Sequence, residues 1–227
     1  MAKTSTALAI TETHLPDYMN QTSSRGNENV GGQLVVPQIK QLQKMSHEVD
    51  KYNSKFIEGA EPGNFLNVLT GEVFKDDIYV ININFSPFWQ VKTGYGVNPS
   101  RWLGKFRNYE QAVSLKESEE DSDELEIAEG HTHLLAMVNP ENGTLIGNSP
   151  VIFDFAGTKL RVSKQWNSRI AANGGDRFSS VWKLTTVSEE SRATKAQFLN
   201  LKVDSVGWAM EDAYKACEKM YEAYAEY

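Results

Sequence analysis

Residues 77–85 read DIYVININF, and this stretch decides the fold. Its side chains alternate with a period of two, which is typical of a β-strand in a sheet. The odd-numbered residues from Tyr79 to Phe85 are expected on one face, with Val80, Asn82 and Asn84 on the other. After an interruption at Pro87 the same strand is expected to resume over residues 88–92.

Downstream of this strand, the same kind of pattern predicts four more strands, at residues 131–138, 152–155, 178–187 and 198–203. A helix over residues 159–172 falls between the third and fourth strands of this series, and Asn173 with two glycines ends it. Strand, strand, strand, helix, strand, strand is the order of elements in an OB-fold. The sequence therefore predicts an α+β, mainly β protein built on a five-stranded OB-fold-like barrel.

Segments outside this core have simpler patterns. Residues 1–33 are rich in Thr, Ser, Asn, Gln and Gly and are expected to form a flexible N-terminal arm. Residues 34–227 are expected to form a single OB-like domain, which closes with a helix over 208–227. Before the barrel, residues 38–49 carry apolar side chains at helical spacing and predict a short helix, and residues 65–74 predict a hairpin.

Composition excludes several classes of protein. The chain has 227 residues, a net charge of -7 and one cysteine, which rules out an intramolecular disulfide and fits a reducing compartment. No apolar run approaches the roughly 18 residues of a membrane span, and the first residues lack the apolar core of a secretory signal. We therefore expect a cytosolic protein that makes no use of a membrane.

Catalytic signatures are missing from the sequence. It contains no Walker loop, dinucleotide fingerprint, nucleophile elbow or HExxH motif. His131 and His133 point to the same face of a strand, but no Cys or acid falls at a spacing that completes a metal site. Cys217 lies on an apolar helical face and is expected to be packed. The expectation is a protein that is not an enzyme and needs no metal or cofactor.

Two stretches combine cations with aromatic rings. Residues 88–109 contain four cations, six aromatics and no acid, and residues 157–183 contain six cations against one acid. Proteins that hold single-stranded nucleic acid need both types of side chain, because cations track the phosphates while flat rings stack on unpaired bases. Because the whole chain is acidic, this basic surface has to be local.

Twelve residues are predicted to hold single-stranded DNA. Trp89, Trp102 and Phe198 are the stacking candidates, although Phe198 is equally compatible with packing under the terminal helix. Trp166 is expected in the core instead, because it shares a helical sector with apolar neighbours. The remaining nine are the cations expected to neutralise phosphates: Lys92, Arg101, Lys105, Arg107, Arg161, Lys164, Arg177, Lys183 and Lys202.

Residues 117–129 contain eight carboxylates and no cation. They are interpreted either as a solvated, mobile insertion or as a competitor for the basic groove and a dock for basic partners. A further amphipathic element lies at the C-terminus. Its helix places one face on the sheet or against a second subunit, which predicts a homo-oligomer as one outcome; this face comprises Met210, Tyr214, Cys217, Tyr221 and Tyr224.

Three segments resemble a group of bacteriophage proteins that are encoded among replication and recombination genes: RGNENVG (25–31), KFIEGAEPGNFLNVLTGEVF (55–74) and KLRVSKQWNSRIAANGGDRFSSVWKL (159–184). The resemblance covers most of the chain from Arg25 onward and implies a protein that acts in the cytoplasm of an infected bacterial host. OB-fold single-stranded DNA-binding proteins of phages are its functional analogy, through architecture and composition. The acidic insertion and the weakly acidic C-terminus depart from that class.

Taken with the basic and aromatic stretches, this resemblance predicts a sequence-independent single-stranded DNA-binding protein of phage replication or recombination. Replication or recombination proteins would be its further partners. The alternative is a protein-binding inhibitor or adaptor, whose acidic surface would occupy a host enzyme of nucleic-acid metabolism. Binding to an oligonucleotide distinguishes the two hypotheses.

Overall fold

The computed structural model describes residues 35–94, 96–190 and 195–225, so the predicted N-terminal arm lies outside the described residues. Within them, nine strands form one sheet that carries three α-helices. The strands are β1 (Gln38–Gln41), β2 (Phe65–Asn67), β3 (Val73–Phe74), β4 (Ile78–Thr93), β5 (Trp102–Phe106), β6 (Leu125–Val138), β7 (Val151–Ala156), β8 (Ser180–Glu190) and β9 (Gln197–Trp208). The helices are α1 (Tyr109–Ser118), α2 (Leu160–Asn173) and α3 (Glu211–Ala223).

The strands lie in the order β3-β2-β1-β7-β6-β4-β8-β9, and β5 pairs with the second half of β4. Every pairing is antiparallel except that of β1 with β7, where Gln38 lies beside Ile152. β4 and β6 are the longest paired strands and form the middle of the sheet. The fold is thus one mixed, curled sheet.

The prediction of a five-stranded OB-fold-like barrel is wrong. The five expected strands do exist as β4, β6, β7, β8 and β9, with α2 between the third and fourth of them. A barrel closes only when the edge strands pair with each other. Here the outer edge of β7 is occupied by β1, so the sheet extends to nine strands. β1 reaches β9 through a side chain instead, because Gln41 Nε2 donates to the carbonyl oxygen of Asn200 at 3.0 Å.

Helices cover the two faces of the sheet differently. On one face, which we call the α2 face, Trp166 of α2 is fully buried against Phe155 and Trp182, so its predicted place in the core is confirmed. On the opposite face, the α3 face, Cys217 of α3 is buried beside Ile81. Each face therefore has its own apolar core, and β4 contributes to both.

A β-bulge in β4 changes the predicted pattern of faces. The register with β6 shifts between Asn82 and Asn84, and one extra residue in a strand moves every later side chain to the other face. Phe85 therefore lies on the α2 face, where its ring meets those of His131 at 4.7 Å and His133 at 5.3 Å. Only the part of the predicted alternation before the bulge is confirmed.

Local predictions before β4 have mixed outcomes. The hairpin at residues 65–74 is confirmed, because Phe65 pairs with Phe74 across β2 and β3. The helix predicted over residues 38–49 is wrong, since its first four residues form β1 and only His47–Val49 make a single 3-10 turn. Ile39 is buried in β1 between Gln38 and Lys40, which is the alternation of a strand.

The far halves of β4 and β6 extend beyond the main sheet and form, with β5 and α1, what we call the distal lobe (residues 88–93, 102–118 and 125–130). Helix α1 covers the α2 face of this lobe through a small core of Val91, Ala112 and Leu125. The interpretation of residues 117–129 as a mobile loop is wrong, because they end α1, form a 3-10 turn at Ser122–Glu124 and begin β6.

Candidate nucleic-acid interface

The α3 face of the distal lobe brings an exposed tryptophan beside a lysine. After the bulge, the even-numbered residues of β4 point to this face, and Lys92 lies opposite Trp102 of β5. The indole of Trp102 is 64% exposed. Lys105 lies opposite Gln90 and therefore shares the same face. This part of the first basic and aromatic stretch forms one continuous surface.

Lys105 is fixed at the base of this surface. Its Nζ donates to the two carboxylate oxygens of Asp154 at 2.8 and 2.7 Å and to Thr132 Oγ1 at 2.9 Å. It also lies 4.1 Å from the ring centroid of Phe88. That ring covers Gly130, where an added Cβ would come within 2.1 Å of it, so only glycine leaves room for the ring. The amine is consequently held in one place by neighbours from three strands.

Carboxylates of residues 117–129 pair with two of the basic residues of this surface. Lys92 Nζ lies 3.0 Å from Glu126, and Arg101 donates to Glu119 at 2.9 Å and also to Asp121. The hydrogen bond to Glu119, together with the charge of Asp121, raises the pKa of Arg101. The acidic stretch is therefore an internal anion that occupies the positions expected for phosphates.

Trp89 and the cations of α2 lie on the α2 face. The ring of Trp89 is half-buried and meets Tyr109 edge-on at 5.8 Å. Lys164 pairs with Glu129 at 3.0 Å, and Arg161 pairs with Glu189 at 3.4 Å. These three residues are separated from Trp102 by the thickness of the sheet.

The last group of predicted residues lies on β8 and β9. Lys183 pairs with Asp77 at 3.2 Å and Lys202 with Asp204 at 2.9 Å, while Phe198 is half-buried opposite Glu189. The structure thus places six of the twelve predicted residues on the distal lobe or at the ends of β5, and the others lie elsewhere. Those six are Trp89, Lys92, Arg101, Trp102, Lys105 and Arg107, of which Trp89 lies on the α2 face.

Arg177 is half-buried between the sheet and α2. Its guanidinium donates to Asn82 Oδ1 at 3.0 Å and to Asn167 Oδ1 at 2.8 Å. Burial lowers its pKa to about 10, because the charged form loses its hydration. The side chain therefore joins β4 to α2.

A chain of buried hydrogen bonds starts at this arginine. Because Arg177 can only donate, Asn82 must accept with its oxygen and present its amide nitrogen to His133 Nδ1, 2.7 Å away. His133 then carries its proton on Nε2 and donates it to Ser163 Oγ at 2.6 Å. Each tautomer along this part of the chain is set by the donor before it.

From Ser163 the chain continues to the surface. The hydroxyl donates to His131 Nδ1 at 2.7 Å, and His131 Nε2 donates to Glu129 Oε1 at 3.2 Å. Burial lowers the pKa of His131 and holds that of His133 well below its usual range. We call this series the relay. Both histidines are neutral members of it, with the half-buried Arg177 at one end and the carboxylate of Glu129 at the other.

Sequence reasoning missed the relay because its members carry no motif. The sequence suggests no role for the two histidines other than metal binding, and for Arg177 it predicts a phosphate contact. One signal was present: Ser163 lies between Val162 and Trp166 on the buried side of α2, opposite a strand with two histidines on one face. A buried hydroxyl between apolar positions needs a partner, and those histidines are the nearest candidates.

A family model described as Pam3 phage gp34-like protein matches residues 4–226. The chain belongs to this family. The expected relationship to bacteriophage proteins is thereby confirmed, while the family description names no role in replication, recombination or DNA binding. No curated protein and no solved structure matches this phage protein.

The described residues of this phage protein contain no helix that is long and apolar enough to cross a membrane.

Proposed function

We propose that this phage protein binds single-stranded DNA without sequence preference, in the cytoplasm of the infected host, during replication or recombination of the phage genome. One observation carries the proposal: the exposed ring of Trp102 lies beside Lys92 and Lys105 on an uncovered face of the distal lobe. Exposed tryptophan next to cations suits base stacking with phosphate contact. Arg101 and Arg107 flank the same strand and extend the basic surface.

The ion pairs of the lobe are compatible with this function. An exposed ion pair stabilises a protein by about 0.2–1 kcal/mol, whereas each base stacked on an aromatic ring contributes about 1–3 kcal/mol. Phosphates can therefore replace Glu126, Glu119 and Asp121 at small cost. In this proposal the acidic residues 117–129 compete with phosphates for the cations. The affinity for single-stranded DNA then depends on how many carboxylates the DNA displaces.

Replacing the exposed ring is the direct test of the proposal. We expect Trp102→Ala to weaken binding to an oligothymidine by about 5- to 150-fold, the equivalent of about 1–3 kcal/mol. The affinity of the parent should fall with salt, with a log-log slope near -0.7 for each phosphate contact. Fluorescence titration at several salt concentrations measures both effects.

Trp208 provides the matched control, because its indole is 66% exposed but belongs to the end of β9. Trp208→Ala should bind like the parent, and duplex DNA should quench the fluorescence of the parent only weakly. Absence of binding to the single strand at low salt would reject the proposal. It would favour instead a protein that docks on basic partners through its acidic surface.

Removing the internal anion should have the opposite effect. The double variant Glu119→Gln/Asp121→Asn releases Arg101, so we expect several-fold tighter binding and a salt slope about 0.7 more negative. The control is Glu120→Gln/Asp123→Asn, which makes the same change in net charge at acids that have no ion-pair partner among the described residues. Equal gains in both variants would mean that net charge alone matters and that Arg101 makes no phosphate contact.

A further inference from the structure

A groove of about 500 Å³ runs along α3 on the α3 face of the sheet. One wall is α3 itself, and the other is the loop over residues 143–148 that connects β6 to β7. Leu145, Ala216, Met220 and Ala223 make most of the lining apolar. Removing this apolar surface from water is favourable, so the groove favours an apolar occupant.

The side of α3 that lines this groove differs from the side that packs on the sheet. Cys217 and Ala213 are buried against the sheet. The groove is lined by a second stripe at helical spacing, formed by Asp212, Ala216 and Lys219 and continued by Ala223. Of the helix face predicted to contact the sheet or a second subunit, Cys217 packs on the sheet, whereas Met210 is exposed and lines the groove.

Asp212 and Lys219 are both exposed and of opposite charge. Within residues 195–225 and the rest of the described chain, neither makes an ion pair or a side-chain hydrogen bond. Their neighbour Lys215 differs, because it pairs with Glu211 along the same helix. Two charges of opposite sign thus lie about two helical turns apart on the rim of an apolar groove, each lacking a counter-ion.

We propose that the groove receives α3 of a second copy of this chain, antiparallel to the first, with the two-fold axis passing through Ala216. At a rise of about 1.5 Å per residue, Asp212 lies about 6 Å from the level of Ala216 and Lys219 about 4.5 Å on the other side. Reversing the second helix brings Lys219 of the partner subunit within about 1.5 Å of the level of Asp212. The same contact repeats on the other side of the axis, as an isologous interface requires.

Side chains around the groove suit this arrangement. Alanine at the axis allows two helices to approach to about 8 Å, the close end of the usual range. Ile146 and Met210 are 48% and 57% exposed beside the groove and would be covered by the second copy. The sulfur of Met210 already lies against Gly143, so the loop and the start of α3 form one apolar rim. The dimer therefore covers apolar surface and pairs both charges without any rearrangement of the sheet.

Charge reversal tests the proposal on the full chain. Sedimentation equilibrium and light scattering should show a dimer of the 25.5 kDa chain at micromolar concentration. Asp212→Lys and Lys219→Asp should each raise the dimer dissociation constant at least tenfold, because like charges then face each other at both ends of the contact. The double reversal Asp212→Lys/Lys219→Asp should return it to within about threefold of the parent.

Glu218→Lys makes the same change in charge as Asp212→Lys at an exposed position of α3 that does not line the groove, and it should leave the dimer intact. All of these positions are exposed, so thermal midpoints should stay close to that of the parent and identify any variant that fails to fold. A chain that remains monomeric at all concentrations, single reversals without effect, or a double reversal as weak as the singles would each overturn the proposal. None of these results depends on DNA binding.

Discussion

Asn82→Leu is expected to lower the free energy of unfolding by about 2–4 kcal/mol. Leucine has nearly the size of asparagine, but it can neither accept from Arg177 nor donate to His133. Leaving a buried polar group without a partner costs about 1–3 kcal/mol, and more when the group is charged, as the guanidinium is. Urea unfolding of the variant and the parent at neutral pH measures the loss.

Gln165→Leu is the matched control for this substitution. Gln165 is exposed on α2, next to Trp166, and makes no side-chain hydrogen bond within the described part of the chain. The same change from amide to leucine should alter the free energy of unfolding by no more than about 0.5 kcal/mol there. Similar losses at both positions would show that the relay contributes nothing specific to stability.

Acid should destabilise the fold between pH 6.5 and pH 5. Burial depresses the pKa of His131 and, more strongly, that of His133, whose ordinary value is 6.5. Below pH 6.5 the unfolded chain takes up protons that the folded chain refuses, so the free energy of unfolding falls by about 1.4 kcal/mol per pH unit for each histidine. We expect a total loss of about 1–3 kcal/mol between pH 6.5 and 5.

The sign of this effect distinguishes the histidines from the carboxylates. Hydrogen bonding from Lys164 lowers the pKa of Glu129, so the stability linked to that group is lost only below its ordinary value of 4.5. Unfolding measured in urea at pH 7.5, 6.5 and 5 therefore reports on the histidines. His133→Gln should flatten the curve by about half, whereas a parent whose stability is constant over this range would contradict the neutral state of both rings.

Strands with strong side-chain patterns could be predicted from the sequence. The first half of β4, as well as β7 and α2, carry an alternation or a helical stripe within one continuous segment. Such local patterns determine an element without knowledge of its neighbours. They could not show that β4 has a bulge, because the extra residue is accommodated by the register with β6.

The place of β1 in the sheet could not be predicted for a related reason. The four residues of β1 suit a helix or a strand, and their parallel pairing with β7 decides between them. No sequence pattern in residues 38–41 indicates that they pair with a strand at residues 151–156. Because that pairing also occupies the edge of β7, a single unpredictable contact changed the expected barrel into an extended sheet.

The distal lobe shows the same limit for the candidate site. Composition indicated a basic and aromatic surface at Lys92, Arg101 and Trp102, and the structure places these residues together. Composition could not show that the acids which follow in sequence fold back onto these cations, since an ion pair depends on which residues meet across strands. Competition of these acids for the basic groove was one of the two interpretations of residues 117–129, but the sequence does not say which acid meets which cation.

The parallel pairing of β1 with β7 also has a consequence for synthesis. Gln38 finds its neighbour Ile152 only 114 residues later, and a ribosome adding about 5–20 residues per second needs roughly 6–23 s to reach it. During that interval β1 has only the short hairpin of β2 and β3 beside it. Chaperones bind emerging chains that expose an unpaired strand edge and apolar side chains, such as Ile39, that are buried in the folded protein. The yield of this protein in a host cell should therefore depend on the pace of translation between these two strands.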